Sequence, residues 1–206
     1  MKKFKRTSIT TLILCIIPLL MGIYYYHELS NVLATHFNFQ GTANGFMTKG
    51  NAVITMPIVC FWIDLMIIIF TNHVIKKNNL ESIKFGSLLY IVPLISIVVT
   101  ASIIFYNLGY PVNNNIMAVL IIGIMFIILG NFIPTVSYQF EKKMHPFYRG
   151  SEADWNQLRR VTGKWFFFGG ILMLLAIMIS ANLSLIIMVV ILVAVVFVAI
   201  KSSLKK

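Results

Sequence analysis

Residues 165–200 read Trp165-Phe-Phe-Phe-Gly-Gly-Ile-Leu-Met-Leu-Leu-Ala-Ile-Met-Ile-Ser180-Ala-Asn-Leu-Ser-Leu-Ile-Ile-Met-Val-Val-Ile-Leu-Val-Ala-Val-Val-Phe-Val-Ala-Ile200, without one charged side chain. A single crossing of a ~30 Å hydrocarbon core takes about 20 helical residues, so this run is too long for one span. Asn182 and Ser184 supply turn chemistry in its middle. The run therefore reads as a tight hairpin of two helices.

Uncharged apolar runs also cover Ile9–Tyr26, Phe85–Tyr106 and Ile116–Phe140, and a further run, Ala52–Phe70, contains only Asp64. Lipid offers backbone groups no partner, so helices are the default in such runs. Of the 206 residues 59% are hydrophobic and 11% charged, and the mean hydropathy is +0.88. A water-soluble surface does not carry that composition. The expected fold is all-α: a polytopic membrane protein, a six-transmembrane-helix bundle with one ordered extracellular loop, Tyr26 to Asn51. The chain divides into a basic N-terminus (1–8), spans one and two with the outer loop (9–73), a cytoplasmic loop with spans three and four (74–134), a cytoplasmic loop with an amphipathic helix (135–164), the hairpin of spans five and six (165–200) and a tail (201–206).

The formal charge of +11 would suggest nucleic acid in a soluble protein. Here the basic residues punctuate apolar runs, which is topology information, and nucleic acid is not an expected partner. Lys2, Lys3, Lys5 and Arg6 precede span one; Lys76, Lys77 and Lys84 lie between spans two and three. Lys142, Lys143, Arg149, Arg159, Arg160 and Lys164 lie between four and five, and Lys201, Lys205 and Lys206 follow six. Sixteen of 17 basic residues thus share one side, leaving Lys49 on the other. The positive-inside rule makes that side the cytoplasm and the protein a multi-pass cell-membrane protein with both termini inside. The basic start before an apolar stretch is reminiscent of a signal peptide, but Tyr24, Tyr25, Tyr26 and His27 make a poor small-residue cleavage site. A retained signal anchor is expected, its aromatic cluster in the interfacial belt.

Chemistry-bearing residues are few. Asp64 is the one acidic residue deep in a span, about two-thirds of the way inward. One reading makes it an ion-coupling site; the other hydrogen-bonds its carboxyl to Trp62, Thr55 or a neighbouring helix. Asn131, with Gly130 and Pro134, ends span four, where proline frees a carbonyl that an amide can satisfy. Ser151-Glu-Ala-Asp154 is a capping box, and Trp155, Leu158, Thr162 and Trp165 recur on one face of the helix it opens, with Arg159, Arg160 and Lys164 on others. That helix reads as interfacial, held by lipid phosphates, or as a docking surface for a cytoplasmic protein. Cys15 and Cys60 fall inside spans, without Cys-x-x-Cys or zinc spacing. His36 has no ligand partner at chelating spacing, so neither metal nor cofactor is expected. No Gly-x-Ser-x-Gly, His-Glu-x-x-His or phosphate loop occurs, and an enzyme is not expected.

The outer loop has two turn signals, Gln40-Gly41 and Asn44-Gly45, with glycines that permit positive φ. His36, Phe37, Asn38, Asn44, Phe46 and Lys49 place aromatic, amide and cationic groups on a short ordered turn suited to gripping a peptide. His36-Phe-Asn-x-x-Gly41-x-x-Asn44-Gly45-Phe46-x-x-Lys49, followed by Met56-Pro57, resembles the outer-loop domain of SdpI-like proteins, the immunity proteins of the sporulation-delaying toxin system. Gly130-Asn131-Phe132-Ile133-Pro134 is similar to the Gly-Asn-x-x-Pro of that family's carboxy-terminal half. Trp155 to Arg160, Gly163, Lys164 and Gly169-Gly170 resemble its Trp and Arg run into a glycine-containing fifth helix. Between Pro134 and Trp155 the chain departs, with Gln139-Phe-Glu-Lys-Lys-Met-His-Pro-Phe-Tyr-Arg149-Gly150 where the family carries a Gly-Ile-Arg-Thr-x-x-Thr-like stretch. The resemblance implies resistance of a Gram-positive cell to a secreted peptide toxin, recognised through His36, Asn38, Gly41, Asn44, Gly45, Phe46 and Lys49. It also implies a cytoplasmic repressor tethered at the membrane, for which Trp155, Arg159, Arg160 and Lys164 are the docking candidates. A small ion-coupled transporter using Asp64 is the alternative, and a purely regulatory anchor built on Lys142 to Lys164 is a third.

Overall fold

The computed structural model describes residues 2–38, 41–78, 85–144 and 150–204. Gln40, Lys84, Arg149, Lys205 and Lys206, used above for turn and topology, lie outside the described residues. The helical class holds. In chain order come α1 (Lys2–Tyr24), β1 (Val32–Phe37), β2 (Ala43–Thr48), a π-helical turn (Asn51–Thr55), α2 (Met56–Asn78), α3 (Phe85–Leu88) and α4 (Ile91–Asn107). Then follow α5 (Asn114–Phe132), a 3-10 turn (Ile133–Thr135), α6 (Tyr138–Met144), α7 (Glu152–Ala176) and α8 (Ala181–Leu204). The chain forms two compact units, residues 1–73 with 89–121 and residues 74–88 with 122–206.

Five described segments are long and apolar enough to cross a membrane: Phe4–Tyr24, Asn51–Lys77, Phe85–Asn107, Asn114–Thr135 and Ala181–Ile200. Their outward faces suit lipid; on α2, Met66 and Phe70 are 63% and 65% exposed. Six spans were expected, and the difference lies in α7. Its first half is polar, and from Trp165 to its end at Ala176 it offers 12 apolar residues, about 18 Å of helix at ~1.5 Å per residue. That is short of a ~30 Å core.

In the first unit α1 packs along α4 and against the π-helical turn, and the hairpin rests on α4. The close approach of α1 to that turn depends on Gly22, where a Cβ would stand 2.0 Å from the Val53 carbonyl oxygen. Leu29, Leu33, Ala52, Val53, Ile103 and Ile104 form one apolar cluster at this end of the unit.

In the second unit α7 packs along α8, and a Cβ on Gly169 would meet Ile191 at 2.3 Å. The reversal between them falls at Ile177–Ser180, ahead of the Asn182 and Ser184 that the sequence pointed to. Ser180 caps α8, its hydroxyl accepting from the Leu183 N–H at 3.0 Å. Ser184 is buried in α8 and donates its hydroxyl across the hairpin to the Met173 carbonyl at 2.9 Å. The run Ile116–Phe140 is likewise not one helix. Pro134 converts its end to a 3-10 turn, and α6 starts afresh at Tyr138.

Candidate functional site

The loop between α1 and α2 is a β-hairpin. β1 and β2 pair antiparallel with Val32 opposite Thr48, Leu33 opposite Met47, Ala34 opposite Phe46, His36 opposite Gly45 and Phe37 opposite Ala43. Register breaks flank His36, the kind of bulge that re-aims a side chain at the end of a ladder. The tip is closed by Asn38, whose N–H donates to the Thr42 carbonyl at 3.0 Å while its own carbonyl accepts from the Gly41 N–H at 2.9 Å. Its side-chain oxygen takes the Thr42 N–H, also at 2.9 Å. Gly41 has φ +79, open to glycine at no steric cost. A Cβ on Gly45 would lie 2.7 Å from that of His36, so glycine lets the two strands meet there.

This divides the seven loop residues singled out by sequence. Asn38, Gly41 and Gly45 build the turn. His36 and Asn44 are exposed, and the His36 Nδ1 and Asn44 Oδ1 lie 2.6 Å apart, a hydrogen bond donated by the imidazole. Phe46 is 62% exposed. Lys49 is half-buried: its Nζ stands 4.7 Å over the Tyr26 ring and donates to the Leu29 carbonyl at 3.4 Å.

The hairpin is fixed to the helices by a residue that sequence reading passed over. Asn107, at the end of α4, accepts the Ala34 N–H at 2.9 Å and donates to the Ala34 carbonyl at 3.0 Å and the Ile103 carbonyl at 2.8 Å. Its amide thus takes the place of a neighbouring strand along β1. A polar residue closing an otherwise apolar span was the available signal. The Phe37 and Tyr106 rings, 4.6 Å apart and edge to face, reinforce the same contact. Because the Ala34 N–H and C=O both turn toward Asn107, Ala34 and Phe46 form a pair that exchanges no ladder bonds. The Phe46 N–H and C=O therefore point away from β1, on the side of β2 where no described strand pairs.

Asp64 lies in the same unit, wholly buried at 0% exposure. Trp62 and Thr55, offered by the sequence as partners, are exposed, and Thr55 bonds to Asn51 instead. The carboxyl faces Thr11 and Cys15 of α1, and among the described residues neither carboxyl oxygen has a hydrogen-bond partner.

In the second unit the structure brings Pro134 to Trp155 and Arg159. The Arg159 guanidinium donates to the Pro134 carbonyl, to the Val136 carbonyl at 3.2 Å and to Asn156 Oδ1 at 2.9 Å. The Trp155 Nε1–H also donates to Val136, at 3.2 Å. These groups satisfy the helix end that proline leaves open; Asn131, the amide expected to do so, is exposed. Two glycines allow the approach. A Cβ on Gly163 would be 2.4 Å from Pro134, and one on Gly130 2.3 Å from the Phe167 nitrogen. The Ser151 and Asp154 capping box forms as expected: the Ser151 hydroxyl accepts the Asp154 N–H at 3.1 Å, and Asp154 accepts the Ser151 N–H at 3.1 Å. Arg160 and Lys164 remain exposed, the former bonded to its own helix at the Asn156 carbonyl.

Residues 13–61 match the model of a family described as a domain of unknown function, DUF1648, a domain found in membrane proteins that include SdpI-like ones. The match begins in α1, takes in the whole hairpin and ends early in α2, before Asp64. No match is found among curated proteins or solved structures.

Proposed function

We propose that this chain is an SdpI-like immunity protein of the cell membrane, giving resistance to a secreted antimicrobial peptide that it recognises at the β1–β2 hairpin. The chain crosses six times with both termini cytoplasmic, α7 completing the fifth crossing with its turn into α8. Hairpin and Lys49 lie outside; Lys76, Lys77, Arg160 and Lys164 lie inside, where the basic bias places them. The observation that carries the reading is the hairpin itself. His36, Asn44 and Phe46 stand exposed on a turn anchored at both its tip and its base, inside the segment that matches DUF1648. The outward N–H and C=O of Phe46 suit an extended peptide that adds as a further strand, a mode in which backbone bonds give affinity and side chains give choice. The chain performs no catalytic step in this reading. On the cytoplasmic side, Arg160 and Lys164 are the exposed groups that would meet a tethered repressor, since Trp155 and Arg159 are engaged within the chain.

The test is to express wild type and a His36→Ala, Asn38→Ala, Lys49→Ala triple variant in a sensitive Gram-positive host at equal membrane levels. Killing by sporulation-delaying-type peptides is then compared. Protection by wild type and not by the variant is the expected result. Protection by neither against any such peptide overturns the immunity reading, and equal protection by both removes the hairpin from it.

A further inference from the structure

Asp64 presents an unexplained arrangement independent of the hairpin. No lysine, arginine or histidine occurs from Thr7 to Tyr26, from Asn51 to Asn72, or within α4, so nothing in these helices neutralises a carboxylate there. A lone charge buried in a membrane is costly, and such residues mark proton or ion paths. Its neighbours are Thr11 and Cys15 on α1, with Cys60, one turn back on α2, beside Cys15. On α4 the buried polar residues are Ser96 and Thr100, and its single ionisable residue, Tyr106, meets Phe37 edge to face at the hairpin.

The direction of the hydroxyls matters. Thr11 donates its hydroxyl to the Ser8 carbonyl at 3.1 Å, and Ser8 donates to the Phe4 carbonyl at 3.0 Å. Both hydroxyls are thus held by the backbone of α1 and line its buried seam, while neither Asp64 oxygen has a hydrogen-bond partner among the described residues.

The two ends of the unit also differ. Ser8, Thr11 and Cys15 recur at i, i+3 and i+7 as a buried seam on α1, running from Asp64 toward the basic start of the chain. Thr71, two turns beyond Asp64 and buried as well, continues the same face of α2 toward Lys76 and Lys77. Toward the hairpin stands the apolar cluster of Leu29, Leu33, Ala52, Val53, Ile103 and Ile104, which offers no polar side chain.

We propose that Asp64 is a one-sided proton-binding site, loaded and unloaded through the Ser8 and Thr11 seam at the basic end and sealed from the hairpin end. In loading, a proton from water at the basic end forms an O–H bond on a carboxylate oxygen; unloading breaks that bond and returns the proton to water. No other bond changes.

The test uses the full-length chain in sealed lipid vesicles and infrared spectroscopy. The protein has only two aspartates, Asp64 and Asp154, so ¹³C-aspartate labelling of an Asp154→Asn variant reports Asp64 alone without altering the site. The expected spectrum at neutral pH is a protonated-carboxyl C=O band that shifts in D2O, disappears in Asp64→Asn and shifts more slowly when Thr11 is replaced by Val. Raising the pH on the side of Lys76 and Lys77 bleaches the band; raising it on the hairpin side does not. A carboxylate spectrum at neutral pH overturns the proposal, as does a band that never exchanges or one that responds equally from both sides.

Discussion

The hairpin and the α5–α7 junction are both polar clusters set in an apolar chain, yet they are organised in opposite ways. In the hairpin, side chains of short reach bond to the backbone of their own turn: Asn38 closes on Thr42 four residues away, and the exposed His36 and Asn44 meet across eight. At the junction, long side chains cross to another element: Arg159 and Trp155 reach carbonyls 19 to 25 residues back. The first arrangement leaves polar groups outward and available. The second consumes them, because a proline-broken helix end away from water must find donors inside the protein.

The contrast is broken most forcefully at Gly130. Gly130→Leu drives a side chain into the Phe167 backbone and is expected to cost about 3 kcal/mol or more through overpacking. Denaturant titration of the purified protein in detergent would show it as an early loss of helical signal. Hairpin function measured by resistance falls only as far as the amount of folded protein falls.

Next in size is Arg159→Ala, which leaves the Pro134 and Val136 carbonyls without their charged donor; hydrogen bonds to charged groups are worth about 1.5–3 kcal/mol. Arg159→Lys is expected to recover only part of this, because an ammonium lacks the planar fork that spans two carbonyls. Equal stability of the Lys variant and wild type would show that charge, rather than geometry, holds the junction.

Asn107→Ala sharpens the comparison from the other side, since Asn107 bonds the hairpin to the end of α4. Two backbone groups of Ala34 lose their partner, a loss of about 1–3 kcal/mol, felt locally. Faster proteolysis within residues 30–50 with the helices intact is the expected reading. The smallest stability effect belongs to His36→Ala with Asn44→Ala. Exposed substitutions away from caps and cores stay within about 0.5 kcal/mol, yet this pair should abolish resistance if the hairpin is the recognition element. Unchanged resistance would assign the pair to turn formation alone.

The capping box at Ser151 was legible because its partners are three residues apart, and the hairpin's position because glycine and asparagine mark turns locally. That the turn would be flanked by paired strands was not, since apolar and polar residues between Val32 and Thr48 do not alternate strictly and Gly45 weakens the second strand. The partners of Asn107, Arg159 and the glycines at 22, 130 and 163 were not legible, for a common reason. Each acts on a partner more than 20 residues away, and nothing in its own neighbourhood announces that partner.

The membrane class, the run of apolar helices and the side favoured by basic residues follow from sequence alone, because hydrocarbon admits only long apolar helices and charge bias acts on each connection separately. Tertiary structure decided where the helices break and turn, at Pro134 and at Ile177–Ser180, and which polar residues stay free. It also decided that Asp64 stands with no partner among the described residues. The physical reason is distance: hydropathy is summed over neighbours in the chain, whereas satisfying a buried carbonyl or exposing a carboxyl to a hydroxyl requires residues that only packing brings together.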